Sequence, residues 1–210
     1  MSFITHFIIT IICASLAAPH NLTEKEILEF DIPNEIQEAA PYDLAGYDED
    51  GSPIWSIELG KWDMRKYAEK GGEMYDALEI HADKMLLNIK ESGLNSSTKQ
   101  LYTIVDVDGF NIRQAGDPKT VQFVLRLILK VEEFGRQMLL KQAWIVNANT
   151  LFEGIWRLSG PLLGQKAEAF ELYTNNKESW LPKLLKVLPR DQLPEKYGGS
   201  PSYKPVKQFG

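Results

Sequence analysis

Residues 145–163 read IVNANTLFEGIWRLSGPLL. An apolar run ends in the polar pair Asn147 and Asn149, and a segment with helical spacing follows. AWIVNA at 143–148 therefore reads as a strand, and 150–159 as the helix after it. Thr150 and Glu153 have the spacing of a capping box, and Gly160-Pro161 supplies a stop. Phe152, Ile155, Trp156 and Leu158 crowd this helix, while Glu153 and Arg157 are its only charges. Phe152, Trp156 and Ser159 share one face. Such a helix is either ordinary core packing or the cover of an apolar pocket.

Working outward, LYTIVDV at 101–107 is a nearly continuous apolar strand of the kind buried on both faces of a parallel sheet. IWSIEL at 54–59 and AFELYT at 169–174 complete the strands. Between them lie a helix at 73–91, stopped near Gly93, and one at 118–135 opened by Asp117-Pro118. The second is apolar around most of its circumference, which predicts burial on more than one side. WLPKLLKVLP at 180–189 reads as a short helix. Residues 18–40 are acidic, with a short helix capped by Thr23 and Glu26. YDEDGSP at 47–53 is a turn. The order of elements predicts an α/β domain with a mostly parallel central sheet and flanking helices.

The chain has 210 residues and a formal charge of −6, a balance that argues against nucleic acid as a partner. Residues 1–17 contain no Asp, Glu, Lys or Arg and end in Ser15-Leu16-Ala17, which resembles a cleavable leader. The run is short for a membrane span, and its first residues lack the usual Lys or Arg. The leader predicts a secreted or secretory-lumen protein. The alternative is a cytoplasmic protein whose N-terminus is a faulty gene model. The single cysteine, Cys13, falls inside the leader, so no disulfide is expected downstream. Asn21 and Asn95 stand in glycosylation sequons.

Catalytic constellations are sparse. IVDVDGF at 104–110 resembles the Asp-x-Asp-Gly of haloacid-dehalogenase-like phosphatases, with Asp106 as nucleophile and Asp108 as proton carrier. Phe110 departs from that pattern, and the only later adjacent acidic pair is Glu132-Glu133. The other reading puts Asp106 and Asp108 at a strand end and a turn. Of three histidines, two lie in or beside the leader and His81 reads as a solvated helix residue. No metal site or cofactor is expected. An apolar cavity with few polar anchors is the leading functional idea; an adaptor module with a collapsed pocket is the third reading.

Three strings bear on this choice: GYDEDGSPIWSIELGKWDMR at 46–65, IVNANTLFEGIWRLSGPLL at 145–163 and LPRDQLPEKYGG at 188–199. In that order and spacing they resemble the CRAL-TRIO lipid-binding domain over 41–199. The resemblance is strongest to the branch of supernatant protein factor and the tocopherol and retinaldehyde carriers. Residues 200–210 are left as a tail. The resemblance implies a non-catalytic carrier that binds one hydrophobic lipid and meets a membrane surface transiently. It makes 150–159 a mobile gate hinged at Gly160 and Pro161, with Gly160 where the family commonly has lysine. The pocket residues placed on this basis are Val121, Leu125 and Ile128 from the long helix, and Trp144 and Val146 from the strand. The gate adds Phe152, Ile155, Trp156 and Ser159, and Leu162 and Leu163 follow it. Phosphatidylinositol-transfer members carry Tyr-Pro-Glu where Arg136, Gln137 and Met138 stand, and a lysine where Phe170 stands. These departures favour a neutral isoprenoid, sterol or retinoid over an inositol phospholipid.

Overall fold

The computed structural model describes residues 20–160 and 167–210. The leader-like segment 1–17, the hinge residue Pro161, and Leu162 and Leu163 lie outside them. Two short helices come first, α1 (Glu24–Glu29) and α2 (Asn34–Ala39). The sheet and its crossovers follow as β1 (Tyr42–Tyr47), β2 (Pro53–Ile57), α3 (Met64–Lys70), α4 (Gly72–Asn95), β3 (Leu101–Asp106), α5 (Ile112–Ala115), α6 (Pro118–Arg136) and β4 (Leu140–Ala148). The chain then forms α7 (Thr150–Ser159), β5 (Phe170–Thr174), α8 (Lys177–Val187) and β6 (Lys207–Phe209).

The strands lie in the order β5-β4-β3-β2-β1-β6. β2 to β5 are parallel, and β1 and β6 close one side antiparallel. The parallel strands step in one direction, so right-handed crossovers put their helices on a single face. That face carries the larger core, to which α4, α6 and α7 contribute. The other face carries a smaller core under α8, with Trp180, Leu184, Leu193 and Tyr197 against Ile54, Tyr102, Ile104, Trp144 and Val146. Side chains alternate between the faces of a strand, and that period divides neighbours in β4: Ala143 and Ile145 join one core, Trp144 and Val146 the other.

Local chemistry explains most element ends. Thr23 and Glu26 form a complete capping box on α1. Asp117 accepts from the Thr120 backbone N–H at 2.8 Å, with Pro118 in the first turn of α6. Asp48 closes the 47–53 turn by accepting from the Ser52 backbone N–H at 2.7 Å. α4 runs past Gly93 to Asn95. Gly93 is packed against Leu101, where an added Cβ would come within 2.8 Å, so this glycine serves close packing and does not end the helix. Burial of α6 on more than one side brings Arg126 inside, 3% exposed, where it pairs with Glu79 of α4 at 3.1 Å. Residues 200–210 are more than a tail, because β6 pairs with β1 and Phe209 stacks on Tyr42 with ring centroids 4.7 Å apart.

His81 is a correction to the sequence reading. It is 3% exposed, and its Nε2 lies 2.8 Å from the Ala40 carbonyl oxygen. A carbonyl only accepts, so Nε2 carries the proton and donates. The position follows from the turn into β1, which lays residue 40 over the face of α4 that periodicity alone left open. Burial pushes the imidazole pKa below its ordinary 6.5. As pH falls through that value the unfolded chain takes up a proton that the folded chain refuses, so folding stability drops toward acid. The urea midpoint should fall between about pH 7.5 and about pH 5.5, and His81→Gln, which keeps a donor but does not titrate, should flatten the slope. Equal slopes in both proteins would show that His81 contributes nothing to the pH dependence.

Candidate functional site

Between the sheet and the helices on its larger-core side is an apolar cavity of about 50 Å³. Its floor is Ile57 of β2, Thr103 and Val105 of β3, Ala143 and Ile145 of β4, and Phe170 of β5. Met85, Leu86 and Ile89 of α4 wall one side, and Leu127, Ile128, Val131 and Phe134 of α6 another. Phe152 and Trp156 of α7 complete the enclosure. Thr103 is the one polar side chain of the lining. It is 1% exposed, and its hydroxyl has no hydrogen-bond partner among the described residues. An unpaired buried hydroxyl carries a desolvation cost that a ligand atom in the cavity would relieve.

α7 spans the segment read as the gate, but its cap is different. Asn149, rather than Thr150, is the cap: its side-chain oxygen accepts from the backbone N–H groups of Leu151 and Phe152, each at 3.1 Å. The same side chain donates through Nδ2 to the Phe110 carbonyl, so one residue starts the helix and ties it to the loop after β3. Phe110 then meets Phe152 edge to face at 5.6 Å, and Trp156 lies 6.0 Å from Phe170. Phe170 of β5 is thus an aromatic contact at the cavity. Gly160 has ordinary right-handed helical angles, so its conformational freedom is unused in this closed arrangement. Leu158 is half exposed on the outer face of α7.

Of the residues expected at the pocket, Ile128, Phe152 and Trp156 line the cavity. Leu125 and Ile155 are buried in the same core, with Val121 packed against it. Ser159 is fully buried and donates to the Trp156 carbonyl at 2.7 Å. Trp144 and Val146 point away from the cavity into the core under α8, because the strand's alternation puts Ala143 and Ile145 on the cavity face. Sequence reasoning missed the other lining residues: Thr103, Ala143, Ile145 and Phe170 among them, and the whole contribution of β2 and α4. The period-2 rule, applied with the register of β4 known, would have found the two β4 residues.

Asp106 ends β3, and its side chain joins distant parts of the chain. Asp106 is 7% exposed, and both of its oxygens are engaged. Oδ1 accepts from Asn147 Nδ2 at 2.9 Å and from the Asp108 backbone N–H at 3.0 Å, and Oδ2 accepts from the Tyr197 hydroxyl at 3.1 Å. Burial first, and the neighbouring Asp106 second, push the Tyr197 hydroxyl far above its usual pKa, so it remains a donor. Asn147 sits at φ +62°, a left-handed conformation in which Asn is among the better-tolerated residues. The register of β4 against β5 shifts between Ile145 and Ala148, around Asn147. Gly198, at φ +82°, and Gly199, where an added Cβ would meet the Leu193 carbonyl at 1.7 Å, let the last loop fold tightly enough to present Tyr197.

The class is thus an α/β domain with a mostly parallel sheet and an apolar cavity beneath a helix launched from an Asn-containing strand. The CRAL/TRIO domain model matches residues 41–199, and the chain belongs to that family. Among similar proteins of Arabidopsis thaliana, the phosphatidylinositol/phosphatidylcholine transfer protein SFH7 is 25% identical over 179 residues, covering 83% of this chain and 32% of SFH7. SFH12, which bears the same description, is 25% identical over 183 residues, covering 85% of this chain and 33% of its own. The chain thus spans about a third of the length of these relatives. The crystal structure of Sfh5 matches with a TM-score of 0.51 at 16% identity, over 90% of this chain and 61% of that one, a likeness of fold.

The three-way junction at Asp106 makes a sharp prediction. Asp106→Ala strands the Asn147 amide in the interior and takes one of its partners from the Tyr197 hydroxyl, which keeps Ser56, and should cost about 2–4 kcal/mol of stability. Asn147→Ala should cost about 1–3 kcal/mol, and the double variant less than the sum, because the two share one bond. Urea unfolding of the three variants measures this. Full additivity would show that the junction does not act as a unit.

Proposed function

We propose that this domain is a non-catalytic carrier that holds the apolar part of one lipid molecule beneath α7. The observation that carries the reading is the enclosed lining, built of aliphatic and aromatic side chains with one unpaired hydroxyl, Thr103, at its floor. No charged side chain lines the cavity, so a charged head group stays outside and only an uncharged polar group meets Thr103. A ligand of this kind is an isoprenoid, sterol or retinoid alcohol or aldehyde, or the acyl part of a phospholipid. The names of the Arabidopsis relatives favour the phospholipid, and Phe170 at the cavity edge favours the neutral lipids.

The cavity of about 50 Å³ is far below the roughly 300–1,000 Å³ that small-molecule sites enclose, so loading requires α7 to move outward. Asn149 at the start of the helix is an anchor for that movement, and the half-exposed Leu158 gives its outer face an apolar contact for a membrane surface. The leader-like first residues support a route through the secretory pathway, which N-terminal sequencing of the product from animal cells decides.

The small volume also supports a second reading, a domain whose pocket stays collapsed and which acts as an adaptor. Native mass spectrometry after exposure to a mixed lipid extract separates the two: the carrier retains one lipid, and the adaptor stays empty. Trp156→Ala adds a finer test. For a carrier it should weaken lipid binding by about 1–3 kcal/mol while lowering stability much less. If the helix is only core packing, the order reverses and stability falls by about 3–5 kcal/mol.

A further inference from the structure

A second void, of about 220 Å³, lies on the helical side of the molecule between α1, α4 and α6. It shares two lining residues with the apolar cavity, Leu86 and Phe134. Each of these two side chains therefore touches both spaces. Both can change rotamer, and the rest of the void's floor is apolar, with Ile27 and Leu87. Most of the charges around its mouth are paired. Lys90 pairs with Glu24 at 3.1 Å, Lys130 pairs with Asp83, and Gln137 donates to Glu133 at 3.1 Å.

The roof of this void comes from α1, which precedes the matched domain at 41–199. α1 is six residues long, too short to hold a helix alone, and is kept in place by Ile27 and a few polar ties. Lys84 Nζ donates to the Phe30 carbonyl at 2.9 Å, and the Lys90–Glu24 pair bridges from α4. A mouth of mostly paired charges over an apolar floor offers little to a charged head group. It fits the end of a hydrocarbon chain.

We infer that the lipid site continues past Leu86 and Phe134 into the cleft under α1, so that α1 sets the length of chain the domain accepts. This rests on the carrier reading above and adds a chain-length specificity that the first cavity alone does not give. The ligand class is a lipid whose chain is too long for the space under α7, with its terminal methylenes lying against Ile27 and Leu87.

The experiment measures affinity for straight-chain fatty alcohols of about 10, 14 and 18 carbons in the full chain, wild type and variants. Ile27→Trp and Leu87→Trp each fill the second void from an opposite side, so displacement of α1 by one does not compromise the other. Both should lower affinity for the longest alcohol about tenfold or more, the effect of a few methylenes losing their apolar contact, and leave the shortest unchanged. Phe134→Ala shortens one of the two shared side chains and should shift the preferred length upward. Thermal melts confirm that the variants are folded. An unchanged chain-length profile in both tryptophan variants overturns the inference and leaves the carrier reading intact. Failure of wild type to bind any alcohol or extracted lipid overturns the carrier reading itself.

Discussion

Asp106 is the point on which the site depends. Its carboxylate receives hydrogen bonds from the end of β4, from its own following turn and from Tyr197 near the end of the matched domain. Those three donors are separated by long stretches of sequence, and a buried carboxylate is tolerated because all three converge on it. The junction fixes where β4 ends, and the end of β4 fixes where α7 begins. Asn147 takes the left-handed turn, and Asn149, two residues on, caps the helix and grips the Phe110 carbonyl. The direction in which α7 leaves the sheet is therefore set by polar groups, although the surface it covers is apolar.

The apolar side of the design follows from one consequence of parallel strands. Strands buried on both faces must supply two cores at once, and alternation assigns each residue to one of them. β4 gives Trp144 and Val146 to the core under α8 and Ala143 and Ile145 to the cavity floor. Ala143 is the smallest side chain of that floor. The bulky aromatics that close this space come from above and from the edge, as Phe152, Trp156 and Phe170. Aromatic pairs at 5.6 and 6.0 Å join α7 to Phe110 and to Phe170.

The segments flanking the matched domain are integrated with it. The first residues lay α1 and α2 on α4, with Ile27, Ile32 and Ile36 buried. The last residues add β6 to the β1 edge, where an open row of backbone groups would otherwise invite pairing with another chain. Phe209 stacks on Tyr42, and Tyr42 in turn packs edge to face on His81 at 5.6 Å. Residues 207–210 thus pack against β1 and, at Gly210, beside Gln37 of α2.

The sequence by itself determined the parallel strands, the long helices and the extent of α7, because these rest on local spacing of apolar residues and on turn chemistry that acts within a few positions. Asp117-Pro118, the Thr23–Glu26 box and the run at 101–107 each carry their own signal. It also held the strings that place the domain in its family. It did not determine which face of β4 lines the cavity, since that depends on register against β3 and β5, and a slip of one residue exchanges the faces. Nor did it show that β1 and β6 are strands, that His81 is buried, or that Asp106 is a junction. Each of those depends on partners far away in the chain: Ala40 for His81, Asn147 and Tyr197 for Asp106, and Tyr42 for Phe209. Only the tertiary structure brings such groups together, because burial and a remote hydrogen-bond partner leave no periodic trace in the local sequence.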